Sequence, residues 1–282
     1  MSDLAVRNSH AARTRLLVFP REHGAWGILF VPLATGAAVG RWHGGTPAPL
    51  LLLGIAAFAL FCLRTPVESL LGSTPMRAQT LEEKRTVGAV IVLFAAVAAA
   101  AIFALLWQGQ HRYLLLIGMA AAILFAAQAA VRQLGRSARM ASQLIGALGL
   151  TLTAPAAYYV VTGALDSRAL ALWTANWIFA GDQIHFVQLR IRSARLKSWQ
   201  EKLAQGRIFL AGQIVMILLL AVAWRSSLVP GLVLLAFLPV FVRGVLWFFK
   251  EPEPLEVHHL GFTELAHAIT FGLLLVLAFG VA

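Results

Sequence analysis

Charge is what this sequence has least of. Asp, Glu, Lys and Arg together make up 12 % of its 282 residues, about half the share of an average soluble domain. So few polar side chains cannot cover a globule, which excludes a water-soluble fold. Acidic residues are the scarcer sign, 12 against 23 Lys and Arg, for a net charge of +11. Cysteine occurs once, as Cys62 inside an apolar run. That excludes a disulfide within the chain and leaves packing as its role. Residues 1–19 hold Arg7, Arg13 and Arg15 but no separate apolar region ending in a small-residue cleavage site. They read as a retained basic cytoplasmic tail and not as a signal peptide.

What the chain has in abundance is apolar sequence, 60 % of all residues. Crossing about 30 Å of hydrocarbon takes roughly 17–25 residues of helix. Runs of that length fall at about 24–40, 47–65, 87–107, 113–131, 140–161, 169–189, 208–225, 227–249 and 262–281. The expected fold is therefore all-α: a polytopic membrane bundle of about nine transmembrane helices. Its connections are short, so residues 20–282 form a single transmembrane domain after the tail. Membrane lipids are the expected surroundings.

Lys and Arg are distributed to one side. The tail, the second-to-third link (Arg77, Lys84, Arg85), the fourth-to-fifth (Arg132, Arg136, Arg139) and the sixth-to-seventh (Arg190 to Arg207) are rich in them. The alternate links hold only Arg41, Arg112, Arg168 and Arg225. Under the positive-inside rule this puts the N-terminus in the cytoplasm and, with nine spans, the C-terminus outside, in a bacterial cytoplasmic (inner) membrane. The rule also accounts for the net charge without invoking nucleic acid. Thr80-Leu81-Glu82-Glu83 has capping-box spacing and starts a helix ahead of the third span. Arg190 to Arg207 reads as a short basic surface helix beside anionic headgroups, or as a solvated loop.

Five segments put charge where apolar residues would do. Phe19-Pro20-Arg21-Glu22-His23-Gly24-Ala25-Trp26-Gly27 sets Arg21, Glu22 and His23 at the cytoplasmic start of span one. Arg64-Thr65-Pro66-Val67-Glu68 ends span two, with Arg64 and Glu68 four apart on one helix face and Pro66 removing a backbone donor. Asp182-Gln183-Ile184-His185 lies in span six, with Asp182 and His185 three apart. Glu264-Leu265-Ala266-His267 begins span nine. Arg243 stands alone in span eight, where a long cationic side chain snorkels to the interface.

An ionised group at the bilayer centre costs roughly 2.5–3.5 kcal/mol on insertion scales, less near the interface. Glu22, Arg64, Glu68, Asp182 and Glu264 facing lipid would together cost on the order of 10 kcal/mol. That rivals a whole protein's net stability of about 5–15 kcal/mol. The economical arrangement gathers them in one polar cavity open to the cytoplasm. Three functions follow from such a cavity. One binds or modifies a lipidic or anionic small-molecule substrate, with Arg21 and Arg64 on the head, Glu22, His23, Glu264 and His267 as further ligand contacts, and Asp182, His185 and Glu68 in acid–base roles. Another holds a divalent metal on Asp182, His185, Glu264 and His267, a carboxylate–imidazole set suited to iron, manganese or zinc. The third relays protons through His185, His267 and the carboxylates for a transporter. Structural readings compete at each position: an Arg64–Glu68 ion pair, and compensation of the helix dipole by Glu22 or Glu264.

The opening Pro-Arg-Glu-His-Gly-Ala-Trp and the later Gly261-Phe262-Thr263-Glu264-Leu265-Ala266-His267 resemble the YwiC-like family of bacterial membrane proteins, which implies kinship and a membrane location. The layout is also distantly similar to UbiA-type prenyltransferases. Those have nine spans, an inside N-terminus, and Asn-Asp-x-x-Asp-x-x-x-Asp and Asp-x-x-x-Asp motifs holding magnesium and a prenyl diphosphate at the cytoplasmic ends of spans two and six. Here the matching segments supply Glu68 and Asp182. Arg64-Thr65 stand near the expected Asn-Asp, Gly72 near the last Asp, and Phe186 where the second motif ends. That resemblance implies the architecture, with a substrate site lacking intact diphosphate motifs.

Overall fold

A computed structural model of the chain describes residues 13–19, 23–72, 76–107, 112–194, 196, 198–250 and 255–281, the side chains of His23 and Arg136 excepted. Arg21 and Glu22 lie outside the described residues. Ten α-helices dominate: α1 His23–Trp42, α2 Leu50–Leu71, α3 Leu81–Trp107, α4 Leu114–Gln133, α5 Arg139–Leu150, α6 Thr153–Thr162, α7 Ser167–Arg192, α8 Trp199–Arg225, α9 Val233–Phe249 and α10 Val257–Gly280. Among the described residues there is no strand. Leu50–Leu71, Leu81–Trp107, Leu114–Gln133, Arg139–Thr162, Trp199–Arg225 and Val257–Gly280 are each long and apolar enough to cross a membrane, and α9 is a shorter apolar helix. Large apolar side chains such as Val92, Phe103, Ile214, Leu218 and Leu273 stand exposed along them. A soluble monomer does not carry apolar surface on that scale. The chain is an integral membrane protein.

The described chain forms two compact units. The first comprises Met1–His23 and Ala48–Arg112. Its centre is the hairpin of α2 and α3. Gly72 ends α2 in the left-handed region (φ 70°), donating its N–H to the Glu68 carbonyl, a stop that glycine makes without a Cβ penalty. The capping box is formed as expected. The Glu83 N–H donates to Thr80 Oγ1 (3.1 Å), while Glu83 Oε2 accepts from the N–H groups of Gln79 (2.8 Å) and Thr80 (3.3 Å). Arg13, from the short helix over residues 13–18, donates to the other carboxylate oxygen. Leu17 packs with Ala78 and Val87, so the short helix over residues 13–18 is fastened to the start of α3 by both charge and burial.

The second unit comprises Gly24–Pro47 and Tyr113–Ala282. Helix α1 runs against α6 so closely that a Cβ at Gly36 would sit 2.0 Å from the Ala154 carbonyl oxygen. Along the same helix the Asn176 amide donates to Thr35 Oγ1 (3.1 Å) and Thr153 Oγ1 donates to the Leu29 carbonyl (3.1 Å). The apolar core, with Leu172, Phe179, Phe237, Phe271 and Leu275, joins α7, α9 and α10. A second cluster of Phe186, Leu189, Phe209, Trp247, Phe248 and Leu260 adds α8.

Two elements differ from the sequence reading. The run 140–161 is a span broken between α5 and α6. Pro155 has no N–H for the Thr151 carbonyl, which accepts instead from Ala154 (3.0 Å); the ladder is interrupted there. The freed Leu148 carbonyl accepts from Thr151 Oγ1 (3.2 Å) and Trp173 Nε1 (3.1 Å). The Arg190–Arg207 stretch is no separate surface helix. Arg190 and Arg192 finish α7, and Ser198 caps α8, which runs unbroken from Trp199 to Arg225.

Candidate functional site

Charged side chains meet deep in the second unit, and Arg243 is the hub. Its Nη2 donates to Asp182 Oδ2 at 2.6 Å and its Nη1 donates to Glu264 Oε2. The three side chains are 8 %, 2 % and 6 % exposed. Each comes from a different helix: Asp182 from α7, Arg243 from α9, Glu264 from α10. Helix α8 adds Gln213, whose Nε2 donates to Asp182 Oδ1. Gln183, beside Asp182 on α7, donates from Nε2 to the Glu264 backbone carbonyl at 2.7 Å. The guanidinium carbon lies 4.1 Å from the Phe186 ring centroid, a cation–π contact that fixes the plane of the fork.

Arg243 therefore does not snorkel. With two carboxylates inside the bundle, turning inward satisfies its donors better than reaching for the interface. Glu264 also departs from the dipole reading. Helix α10 begins at Val257 and has no acidic residue in its first turn; Glu264 is two turns in, beyond the helix end where the dipole acts.

The satisfaction of the cluster is lopsided. Both Asp182 oxygens accept hydrogen bonds, but Glu264 Oε1, Gln213 Oε1 and Arg243 Nε are buried without a partner. Unpaired polar atoms at that depth are costly, and here three of them converge at one set of ion pairs. What the arrangement offers chemically is a cation already gripped by two acids, with one donor and two acceptors to spare.

The remaining expected residues divide as follows. On α2, Arg64 Nε donates to Glu68 Oε1 at 3.0 Å, both side chains being mostly buried. His185 sets its ring edge-on against Phe209 at 5.3 Å. His267 holds Nδ1 2.7 Å from the Thr263 carbonyl, one turn back on its own helix. Arg21, Glu22 and the His23 side chain lie outside the described residues. Among the described residues no three His, Cys, Asp or Glu side chains gather as metal ligands. Of the expected carboxylate–imidazole set, the two carboxylates each give one oxygen to the Arg243 guanidinium. A pocket of about 10 Å³ opens beside Gln183, lined by Gly27, Pro32, Asn176 and Phe179 among others; that is about the room one water needs.

Gln213 and the contact role of Gln183 escaped the sequence reading, which singled out Arg243 only as a snorkelling side chain. The signal for Arg243 was present, since an intramembrane ionisable group is a site hypothesis by default. Gln213 had a weaker one, as the lone polar side chain at the head of the run Gln213 to Trp224.

The model of the YwiC-like protein family matches residues 19–158. No curated protein matches the chain.

Proposed function

We propose that this chain, YwiC-like over residues 19–158, binds the polar head of a lipidic, anionic substrate at the Asp182–Arg243–Glu264 cluster from the cytoplasmic side of a bacterial inner membrane. The single observation that supports this is the hub itself: Arg243 held between Asp182 and Glu264 with three buried polar atoms left over. A bundle that needed only stability would do as well or better with apolar side chains here, because a buried ion pair repays its desolvation poorly. Arginine is the side chain suited to planar, bidentate capture of phosphate or carboxylate. Its free Nε suits an acceptor oxygen of the head, and Glu264 Oε1 and Gln213 Oε1 suit a hydroxyl.

In this reading nine crossings place the N-terminus inside, and α7 descends so that Asp182 lies in the cytoplasmic half, as in a UbiA-like layout. Within the second unit, Asp182 and His185 are the groups assigned to proton transfer, and His267 is a further contact to the head. The test is native mass spectrometry of the detergent-purified protein. A lipidic mass retained by the wild type and lost in folded Arg243→Gln supports the assignment; no retained mass, or equal retention by both, overturns it.

A further inference from the structure

We propose that the small pocket between α1 and α7 binds one ordered water molecule, which bridges these two helices beside Gln183. The argument begins with a proline inside α1, Pro32. In a helix the carbonyl of residue 28 points along the axis toward the N–H of residue 32, and Pro32 has no N–H to give. The Ile28 carbonyl therefore loses its ordinary partner. Ile28 and Pro32 both line the pocket, and α7 contributes Asn176, Phe179 and Gln183 to it.

Hydrogen bonding shows what the α7 side chains have left to offer. Asn176 spends both amide hydrogens, donating from Nδ2 to Thr35 Oγ1 at 3.1 Å and to the Leu172 carbonyl at 2.9 Å. Thr35 accepts there because its own hydrogen goes to the Pro32 carbonyl at 2.9 Å, so the orientation of the Asn176 amide is settled. Gln183 donates from Nε2 to the Glu264 carbonyl at 2.7 Å. Among the described residues no hydrogen bond reaches Asn176 Oδ1 or Gln183 Oε1, and neither is a fully enclosed atom. Their residues are 1 % and 6 % exposed, and the pocket is a space that both border.

The lining thus holds acceptors in need of a donor. A buried acceptor left unsatisfied is costly, and water brings two O–H donors. An apolar pocket of this size would stay dry, whereas one with a few polar partners holds water. The volume, about 10 Å³, admits one such molecule. Gln183 gives the site its place in the second unit: its amide nitrogen holds the Glu264 carbonyl and its oxygen is left for the water. The water then ties α1 to the helix that carries Asp182. None of this depends on the head-binding reading, and its test needs no substrate.

The experiment is hydroxyl-radical labelling of the purified full-length protein. The protein is mixed into heavy-oxygen water for less time than a bound water takes to exchange, then exposed to a brief X-ray pulse. A buried side chain against a bound water takes up ordinary oxygen, and one reached by bulk solvent takes up heavy oxygen. The expected result is an ordinary-oxygen label on Phe179 and none on Phe237, which is 0 % exposed in the same apolar core. In folded Gln183→Met, which keeps the chain length and removes the amide, the Phe179 label should fall several-fold. No label on Phe179 in wild type, a heavy-oxygen label there, or an undiminished label in the folded variant overturns the proposal. The wild-type measurement needs no variant, so a misfolded Gln183→Met still leaves the proposal open to refutation.

Discussion

Replacing Arg243 by glutamine is the most informative single perturbation. It removes the cation from two carboxylates whose side chains are 2 % and 6 % exposed. Breaking a buried ion pair from one side costs about 3–5 kcal/mol, because the partner left behind is an unpaired charge. Hydrogen bonds to charged groups account for about 1.5–3 kcal/mol of such a loss, and Asp182 keeps the one from Gln213. Arg243→Gln should therefore destabilise by about 3–5 kcal/mol, well above the ~0.6 kcal/mol average of hydrogen bonds between membrane helices. Asp182→Asn alone should cost less, since Arg243 still pairs with Glu264. The double variant carries the sharper expectation: with Glu264 the one carboxylate left facing the lost cation, it should be about 2 kcal/mol or more better than the sum of the single losses, beyond the ~0.3–0.5 kcal/mol scatter of independent sites. Reversible unfolding in mixed detergent micelles measures all four proteins. Strict additivity would refute the claim that these side chains are an electrostatic unit.

Other outcomes follow from the same contacts. Phe186→Leu removes the ring under the guanidinium as well as its packing on Phe209 and Trp247, so in the same unfolding assay its cost should shrink by about 0.5–2 kcal/mol in an Arg243→Gln background, where only the packing loss remains. Gly36→Val drives a side chain into the Ala154 carbonyl, so the folded, monodisperse yield on size-exclusion chromatography should collapse. Thr80→Ala deletes the cap of α3 and should cost about 1 kcal/mol by micelle unfolding. In a Cys62→Ala background, single cysteines at the exposed positions Ala194 and Ser227 should react with a membrane-impermeant maleimide from opposite sides, Ser227 in intact cells and Ala194 only after lysis.

The parts of the fold legible in the sequence were those fixed by local chemistry. Apolar runs located the helices, the Thr80–Glu83 spacing gave the cap, and Arg64 and Glu68, four apart, are indeed paired. The break at α5–α6 was less visible because Pro155 sits in an apolar run whose hydropathy continues through it. The cluster was half legible. Asp182 and Glu264 stood out because a charge in an apolar helix needs a reason, and the inference that such charges should meet rests on energy alone. Their shared partner did not stand out, because Arg243 has no charged neighbour three or four residues away on α9, and what positions it is the packing of three other helices. Helical spacing also put His185 on the Asp182 face of its helix, and the structure adds a partner that spacing could not show, Phe209 edge-on to the imidazole. A shared helix face says which side chains can meet, and not which partner from another helix wins.

The most direct test is a cryo-electron-microscopy map of the protein in nanodiscs of its native lipids, inspected at Arg243. The account predicts continuous density joining Arg243 to Asp182, with a lipidic headgroup within hydrogen-bonding reach of the guanidinium. Arg243 turned out to the lipid interface, or a closed cluster with no added density in native lipids, would contradict it.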